Sequence, residues 1–197
     1  AYWEVPAEAE TAVTGRWVPV PTQDFFDRLI KRFGRLPVIA EDLGSITADV
    51  REVMRNYGFP GMRVLQFAFG GDFPNGDFLP HRYESNTVVY TGTHDNNTTR
   101  GWFETETDPQ IRRNLFDYLG REVEAGELPW ELIRLAMRSI AATAVVPLQD
   151  VLGLDSAARM NHPGGSKRNW RWRFAWDGRA ALGADRLREM PACYGRQ

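Results

Sequence analysis

The chain is poor in the features that mark several classes of protein. Its 197 residues include a single cysteine, Cys193, which excludes both a disulfide framework and a cysteine-based zinc site within the chain. No apolar run approaches about 18 residues, so we expect no transmembrane helix. The formal net charge is only −2 and no basic block is present. Neither nucleic acid nor a membrane surface is therefore an expected partner.

The signatures of several catalytic classes are also missing. The sequence contains no glycine-rich phosphate loop and no nucleophile elbow. Its three histidines, His81, His94 and His162, are far apart in the sequence and do not follow a metal-ligand spacing. Nothing in the sequence argues for a metal, and no cofactor is expected.

The chain does contain a regular alternation of strand and helix patterns. Strands are predicted over residues 37–41, 62–69, 87–91 and 143–148, and helices over 22–33, between Thr47 and Gly58, over 109–119, from Pro129 to Ile140 and over 178–190. Such alternation indicates an α/β fold, with a parallel sheet and helices outside it. A doubly wound sheet and half of a (β/α)8 barrel both fit this order.

Two of the predicted strands end in acidic side chains. Glu41 ends the first strand, whereas His94 and Asp95 follow the 87–91 strand just after Gly92. Active sites of (β/α)8 barrels lie at the C-terminal ends of the strands, so these positions favour the barrel. Cleaving a glycosidic bond requires one carboxylic acid and one carboxylate on either side of the bond. The sequence therefore points to sugar chemistry.

The residues suggest different roles at such a site. Glu41 is the better candidate for the acid, because an apolar setting at the end of a buried strand raises a carboxyl pKa. Asp95 is a candidate to hold ring hydroxyls, and His94 to donate to one. Structural roles compete: Glu41 or Asp42 also fits a turn cap or an arginine partner, and the polar run that begins at His94 also fits a helix N-cap.

Several segments together resemble one enzyme family, the 4-α-glucanotransferases called amylomaltase or disproportionating enzyme. The motifs that carry the resemblance extend along almost the whole chain: Ala1-Tyr-Trp-Glu-Val-Pro6, Ile39-Ala-Glu41-Asp-Leu-Gly44, Pro60-Gly-Met62, Val64-Leu-Gln-Phe-Ala-Phe69, Thr91-Gly-Thr-His94-Asp95-Asn96, Gln149-Asp-Val-Leu-Gly-Leu154, Ala158-Arg-Met-Asn161 and Asn169-Trp-Arg-Trp172. A lone Glu-Asp-Leu-Gly would carry little weight, but the combination is highly specific.

The resemblance implies a fold and a set of roles. The family fold is a (β/α)8 TIM barrel of the α-amylase type, and residues 1–197 match its second half, strands 5–8 and the closing helix. Glu41 is then the general acid/base and Asp95 stabilises the transition state. His94 and Asn161 are implied as sugar contacts. Asp72, in the loop after the sixth strand, is a further candidate for the glucan, although a turn-forming aspartate fits it equally.

The family nucleophile is an aspartate on the fourth strand, followed by a His-Phe-Arg-Gly type of sequence, and this chain has no match to it. We expect that segment upstream of Ala1, so the missing N-terminal part is an expected partner and the chain alone is expected to be inactive. The implied activity is retaining transfer of α-1,4-glucan segments between maltodextrins. An α-amylase-type hydrolase and a non-catalytic glucan-binding half-barrel remain alternatives. A cytoplasmic or plastid location is implied by the resemblance and fits the lone cysteine, and the cytoplasm is the expected one.

Overall fold

The computed structural model describes residues 1–165, 167–175 and 178–196. The chain divides into two compact units, Ala1–Pro60 and Gly61–Gln197. That residues 1–197 form a single half-barrel stays a prediction.

The first unit combines a small hairpin with two helices. Strands β1 (Tyr2–Glu4) and β2 (Arg16–Val18) pair antiparallel, with Trp3 opposite Trp17. Helices α1 (Thr22–Phe33) and α2 (Ala48–Tyr57) follow, and glycines in positive φ end both of them, Gly34 and Gly58. These bounds confirm the two predicted helices, whereas the hairpin was not predicted.

Residues 37–41 do not form the predicted strand. The segment has no regular secondary structure, none of the described strands pairs with it, and Val38 and Ile39 are 38% and 50% exposed. The amide of Ala40 donates to the carbonyl of Pro60 at 2.9 Å. A strand exists only with a hydrogen-bonded neighbour, so a sequence with strand composition stays unpaired when that neighbour is missing.

The second unit is built on a parallel sheet of three strands. Strand β4 (Thr87–Tyr90) lies in the middle, between β3 (Gly61–Val64) and β5 (Thr143–Val145). Both outer strands are shorter than predicted. The chain turns into a 3-10 helix at Leu65, and Pro147, which cannot donate to a ladder, precedes helix α6 (Leu148–Val151).

Four further helices surround this sheet: α3 (Thr99–Thr105), α4 (Pro109–Leu119), α5 (Leu128–Arg138) and α7 (Gly178–Cys193). Helix α4 has the predicted bounds, because Asp108 caps its first turn and Gly120 ends it in the left-handed conformation. Helix α5 buries one face, including Leu132, against the core of this unit. An α/β unit with parallel strands is therefore confirmed. Across the described residues, no helix is long and apolar enough to cross a membrane.

Candidate functional site

The centre of the candidate site is the turn of residues 91–98, which joins the end of β4 to α3. Thr91 is fully buried at its start, and Thr98 ends it by accepting the amide of Gly101 at 3.0 Å. Thr98 is thus the N-cap of α3. The N-cap of α3 is therefore not supplied by the His94–Asn97 run.

Two close contacts explain the glycine and the asparagine of this turn. A Cβ on Gly92 would lie 2.6 Å from Nε2 of Gln66, so only glycine fits here without a rearrangement. Oδ1 of Asn96 accepts both the amide and the hydroxyl of Thr93, each at 2.9 Å. The turn is therefore held from inside, and His94 and Asp95 lie at its exposed tip.

The structure brings three predicted site residues together. Nδ2 of Asn161 donates to Oδ1 of Asp95 at 2.6 Å, and Nε2 of His94 lies 3.4 Å from the same oxygen. About half of the Asp95 side chain stays exposed. This carboxylate is therefore oriented by a neutral donor and an imidazole while it remains accessible to a ligand. The catalytic and binding roles of the three residues stay predictions.

Arg159 connects the two segments of this cluster, and sequence reasoning did not assign it a role. Its guanidinium donates to the backbone carbonyl of Asp95 at 2.7 Å and to that of Asn161 at 2.9 Å. A third hydrogen bond, to Oε1 of Glu106 at 2.9 Å, fixes the guanidinium itself. Because Arg159 holds both backbones, it sets the distance across which Asn161 reaches Asp95. The only sequence signal was its place in the Arg-Met-Asn motif.

Trp170 borders the cluster on the side of His94. The centres of the two rings are 5.0 Å apart at an angle of 38°, and Trp170 is 54% exposed. Its φ of 60° is unusual for a residue other than glycine, and its amide donates to the carbonyl of Met160 at 2.8 Å. An exposed ring beside polar donors is the kind of surface on which the apolar face of a sugar packs.

A buried carboxylate, Asp150, lies beneath the turn. It is 1% exposed and accepts hydrogen bonds from the hydroxyl of Thr91 and from the amide and hydroxyl of Thr99, the last two at 2.7 and 2.8 Å. Burial raises the pKa of the Asp150 carboxyl, and the hydrogen bonds from Thr91 and Thr99 oppose that rise. Sequence analysis identified Asp150 only as part of a family motif. No sequence pattern indicates that it lies beneath residues 91–99.

The remaining predicted site residues, Asp72 and Glu41, are not part of this cluster in the described contacts. Asp72 lies in the loop after β3, where its carbonyl accepts the amide of Asn75 in a tight turn at 2.6 Å. Among the described residues, no hydrogen bond joins its carboxylate to Asp95. Glu41 belongs to the first unit and is exposed. Its role as the acid, and the apolar setting expected for it, stay predictions.

Comparisons with known proteins now decide the family. The sequence profile described as 4-alpha-glucanotransferase matches residues 1–178. The chain belongs to this 4-alpha-glucanotransferase family.

Curated 4-alpha-glucanotransferases match this chain over most of its length. The 4-alpha-glucanotransferase of Thermus thermophilus is 50% identical over 179 residues, which are 88% of this chain and 36% of that protein. The chloroplastic/amyloplastic 4-alpha-glucanotransferase DPE1 of Arabidopsis thaliana is 46% identical over 99% of this chain and 34% of its own length. The chain thus spans about a third of the length of the curated relatives it matches.

Solved structures agree with the 4-alpha-glucanotransferase assignment. An amylomaltase from Streptococcus agalactiae, solved in complex with acarbose, superposes with a TM-score of 0.88 at 32% identity. The match covers 99% of this chain and 39% of that one. An amylomaltase from Corynebacterium glutamicum has a TM-score of 0.59 at 22% identity, which supports the fold alone.

The cluster around Asp95 contains no set of metal ligands. Within the described part of the chain, no group of three or more histidine, cysteine, aspartate or glutamate side chains is placed to hold a metal ion. The groups that the cluster presents are the carboxylate of Asp95, the imidazole of His94, the amide of Asn161 and the indole of Trp170.

Proposed function

We propose that the full-length protein is a 4-α-glucanotransferase that moves α-1,4-glucan segments between maltodextrins by a retaining double displacement. The observation that carries the proposal is the cluster at the end of β4, where His94 and Asn161 both approach one carboxylate oxygen of Asp95. A partly exposed carboxylate with two oriented donors suits binding of adjacent sugar hydroxyls. The names of the relatives supply the substrate class.

In the proposed reaction, each side chain has one task. Glu41 protonates the glycosidic oxygen as it leaves and later takes a proton from the acceptor hydroxyl. Asp95 binds ring hydroxyls and holds the sugar in the distorted form that precedes the oxocarbenium-like state. His94 and Asn161 bind neighbouring hydroxyls, and Asp72 contacts a sugar on the donor or acceptor side.

The proposed architecture is the second half of a (β/α)8 barrel of the α-amylase type. The parallel strands β3, β4 and β5 would then be barrel strands 6, 7 and 8, and residues 37–41 would be strand 5. In the complete barrel, residues 37–41 acquire a neighbour on each side and Glu41 acquires the covered setting that it lacks here. The nucleophilic aspartate comes from the part of the protein upstream of Ala1.

An α-amylase-type hydrolase uses the same carboxylates with water as acceptor, so the products distinguish the two activities. The full-length protein is incubated with maltotriose and the products are resolved by chromatography. A transferase gives glucose together with a series of chains longer than maltotriose, whereas a hydrolase gives only glucose and maltose. Absence of any product would leave a non-catalytic glucan-binding protein and would overturn the proposal.

For the location, we propose the cytoplasm. The relative from Arabidopsis thaliana is named chloroplastic/amyloplastic, so a plastid is the alternative. Fractionation of the source organism, with detection of the protein by antibody, tests the proposal. Recovery from a plastid or a membrane fraction would contradict it.

A further inference from the structure

We propose that Asp150 is a positioning residue, whose buried carboxylate clamps both ends of the 91–99 segment and so fixes His94 and Asp95 for the transfer reaction. The catalytic part of this inference rests on the proposed function. Asp150 itself does not touch the sugar, because it is 1% exposed.

The geometry of the clamp is unusual in that one carboxylate serves two ends of a turn. Oδ2 accepts the hydroxyl of Thr91 at the end of β4 and that of Thr99 in the first turn of α3, and Oδ1 accepts the amide of Thr99. That amide is one of the donors that a helix leaves without an internal partner at its N-terminus. Asp150 therefore joins β4 and α3 at the two points between which His94 and Asp95 lie.

Through the hydrogen bonds of Asp150, the clamp also connects a third element, helix α6, to the site. Asp150 belongs to helix α6, which directly follows β5. Strands β4 and β5 are neighbours in the sheet. The Asp150 carboxylate therefore links the end of β4 to the segment that follows β5. The middle of the turn has its own supports: Asn96 accepts from Thr93, and Arg159 donates to the carbonyl of Asp95. The two ends of the segment are the parts that Asp150 holds. Without the carboxylate, the buried donors of Thr91 and Thr99 would lack an acceptor and would move to find one.

The main test compares kinetics of Asp150→Ala with the wild type in the full-length protein. A displacement of a catalytic group by about 1 Å lowers rates by about 100-fold. We therefore expect kcat for maltotriose disproportionation to fall by about 100-fold, with KM changed by less than about threefold. The conservative variant Asp150→Asn keeps the shape and one acceptor. Its kcat should be at least about tenfold higher than that of Asp150→Ala.

A matched control separates positioning from general stability. Asp108→Ala removes another aspartate that accepts a backbone amide, that of Ile111 at the start of α4, but it lies outside the clamp. It should leave kcat unchanged at temperatures where both variants are folded. Equal losses of kcat in Asp108→Ala and Asp150→Ala would overturn the inference.

If Asp150→Ala does not fold, the hydroxyl partners supply the test. Thr99→Val and Thr91→Val each remove one donor and keep the side-chain shape. Each should lower kcat by about three- to tenfold, and each should lower it by a smaller factor when combined with Asp150→Asn, because the clamp is then already weakened. Strict additivity of these losses would contradict a common clamp.

Hydrogen exchange tests the inference independently of the enzyme activity. In Asp150→Asn, amides of residues 92–99 should exchange at least about tenfold faster than in the wild type, while those of α5 keep their protection. If the wild type itself proves inactive on maltotriose, the proposed function fails, and this measurement still decides whether Asp150 fixes the turn. Unchanged exchange over residues 92–99 would refute the clamp.

Discussion

At the scale of residues, the candidate site is a set of side chains that hold one another in a defined order. Arg159 fixes the backbones of Asp95 and Asn161, and the carboxylate of Asp95 then receives Asn161 and His94. The Asp95 carboxylate is therefore positioned both by its direct contacts, with Asn161 and His94, and by the contacts of Arg159 that hold the backbones of Asp95 and Asn161. Such layered support is what a site needs when small displacements reduce the rate.

The role of Glu41 gives the first prediction. In the full-length protein, Glu41→Gln should lower transferase activity by about 10²–10⁴-fold, because the amide keeps the shape but has no proton to transfer. Binding of maltooligosaccharide, measured by calorimetry, should persist. Initial rates of glucose release from maltotriose provide the activity measurement.

The control for this change is Glu52→Gln, an exposed glutamate on α2 of the same unit. It makes the same chemical change away from the proposed site and should leave the rate unaltered. Near-normal glucose release by Glu41→Gln would remove Glu41 from the mechanism.

At the scale of elements, the sequence predicted best the helices whose ends carry a specific residue. Helices α1 and α4 have the expected bounds, because a glycine follows the last residue of each and Asp108 is the N-cap of α4. The strands were less predictable. Residues 65–67 have strand composition but form a 3-10 helix, and residues 37–41 pair with none of the described strands. A strand depends on distant chain segments, whereas a helix satisfies its own backbone.

The cap of α4 gives an element-scale prediction. Oδ1 of Asp108 accepts the amide of Ile111 at 2.8 Å, so Asp108→Ala should lower the free energy of unfolding by about 1 kcal/mol. Urea denaturation followed by circular dichroism measures this change. Asp117→Ala, in the last turn of the same helix, is the control: it removes a negative charge from the negative end of the helix dipole and should not destabilise. Loss of stability in the control, but not in Asp108→Ala, would contradict this interpretation of the cap.

The residues of the site also differ in how far the sequence predicts them, because some depend on contacts between distant segments. His94 and Asp95 are predictable from their place after a strand, whereas only the family resemblance points to Asn161, and the structure places the three in contact. Arg159, Asp150 and Trp170 lie in motifs that were recognised but had no role, since their contacts join segments more than 50 positions apart. Such contacts leave no periodic pattern in a single sequence.

At the scale of the whole molecule, the chain matches only part of longer relatives, and its sheet has uncovered edges. Its second unit ends in two sheet edges, β3 and β5, and it matches relatives about three times its length. Unpaired edges bind other strands readily. In the full-length protein, we expect other barrel strands to cover these edges.

This leads to a prediction for residues 1–197 expressed alone. The isolated chain should have no transferase or hydrolase activity, because no acid in it matches the family nucleophile. It should also associate, with its own copies or with the upstream part of the protein when that part is supplied. Maltotriose assays combined with light scattering measure both properties. Steady turnover by a monomer would show that the nucleophile has been misplaced.

The central claim is that Glu41 and the cluster around Asp95 act on one sugar ring, and the most direct measurement is a crystal structure of the full-length protein with a bound maltooligosaccharide. We predict that the carboxyl groups of Glu41 and Asp95 lie within about 10 Å of each other and flank the same glucose unit, with His94 and Asn161 at its hydroxyls. An oligosaccharide bound away from Asp95, or the two carboxyl groups at opposite ends of the barrel, would contradict the account.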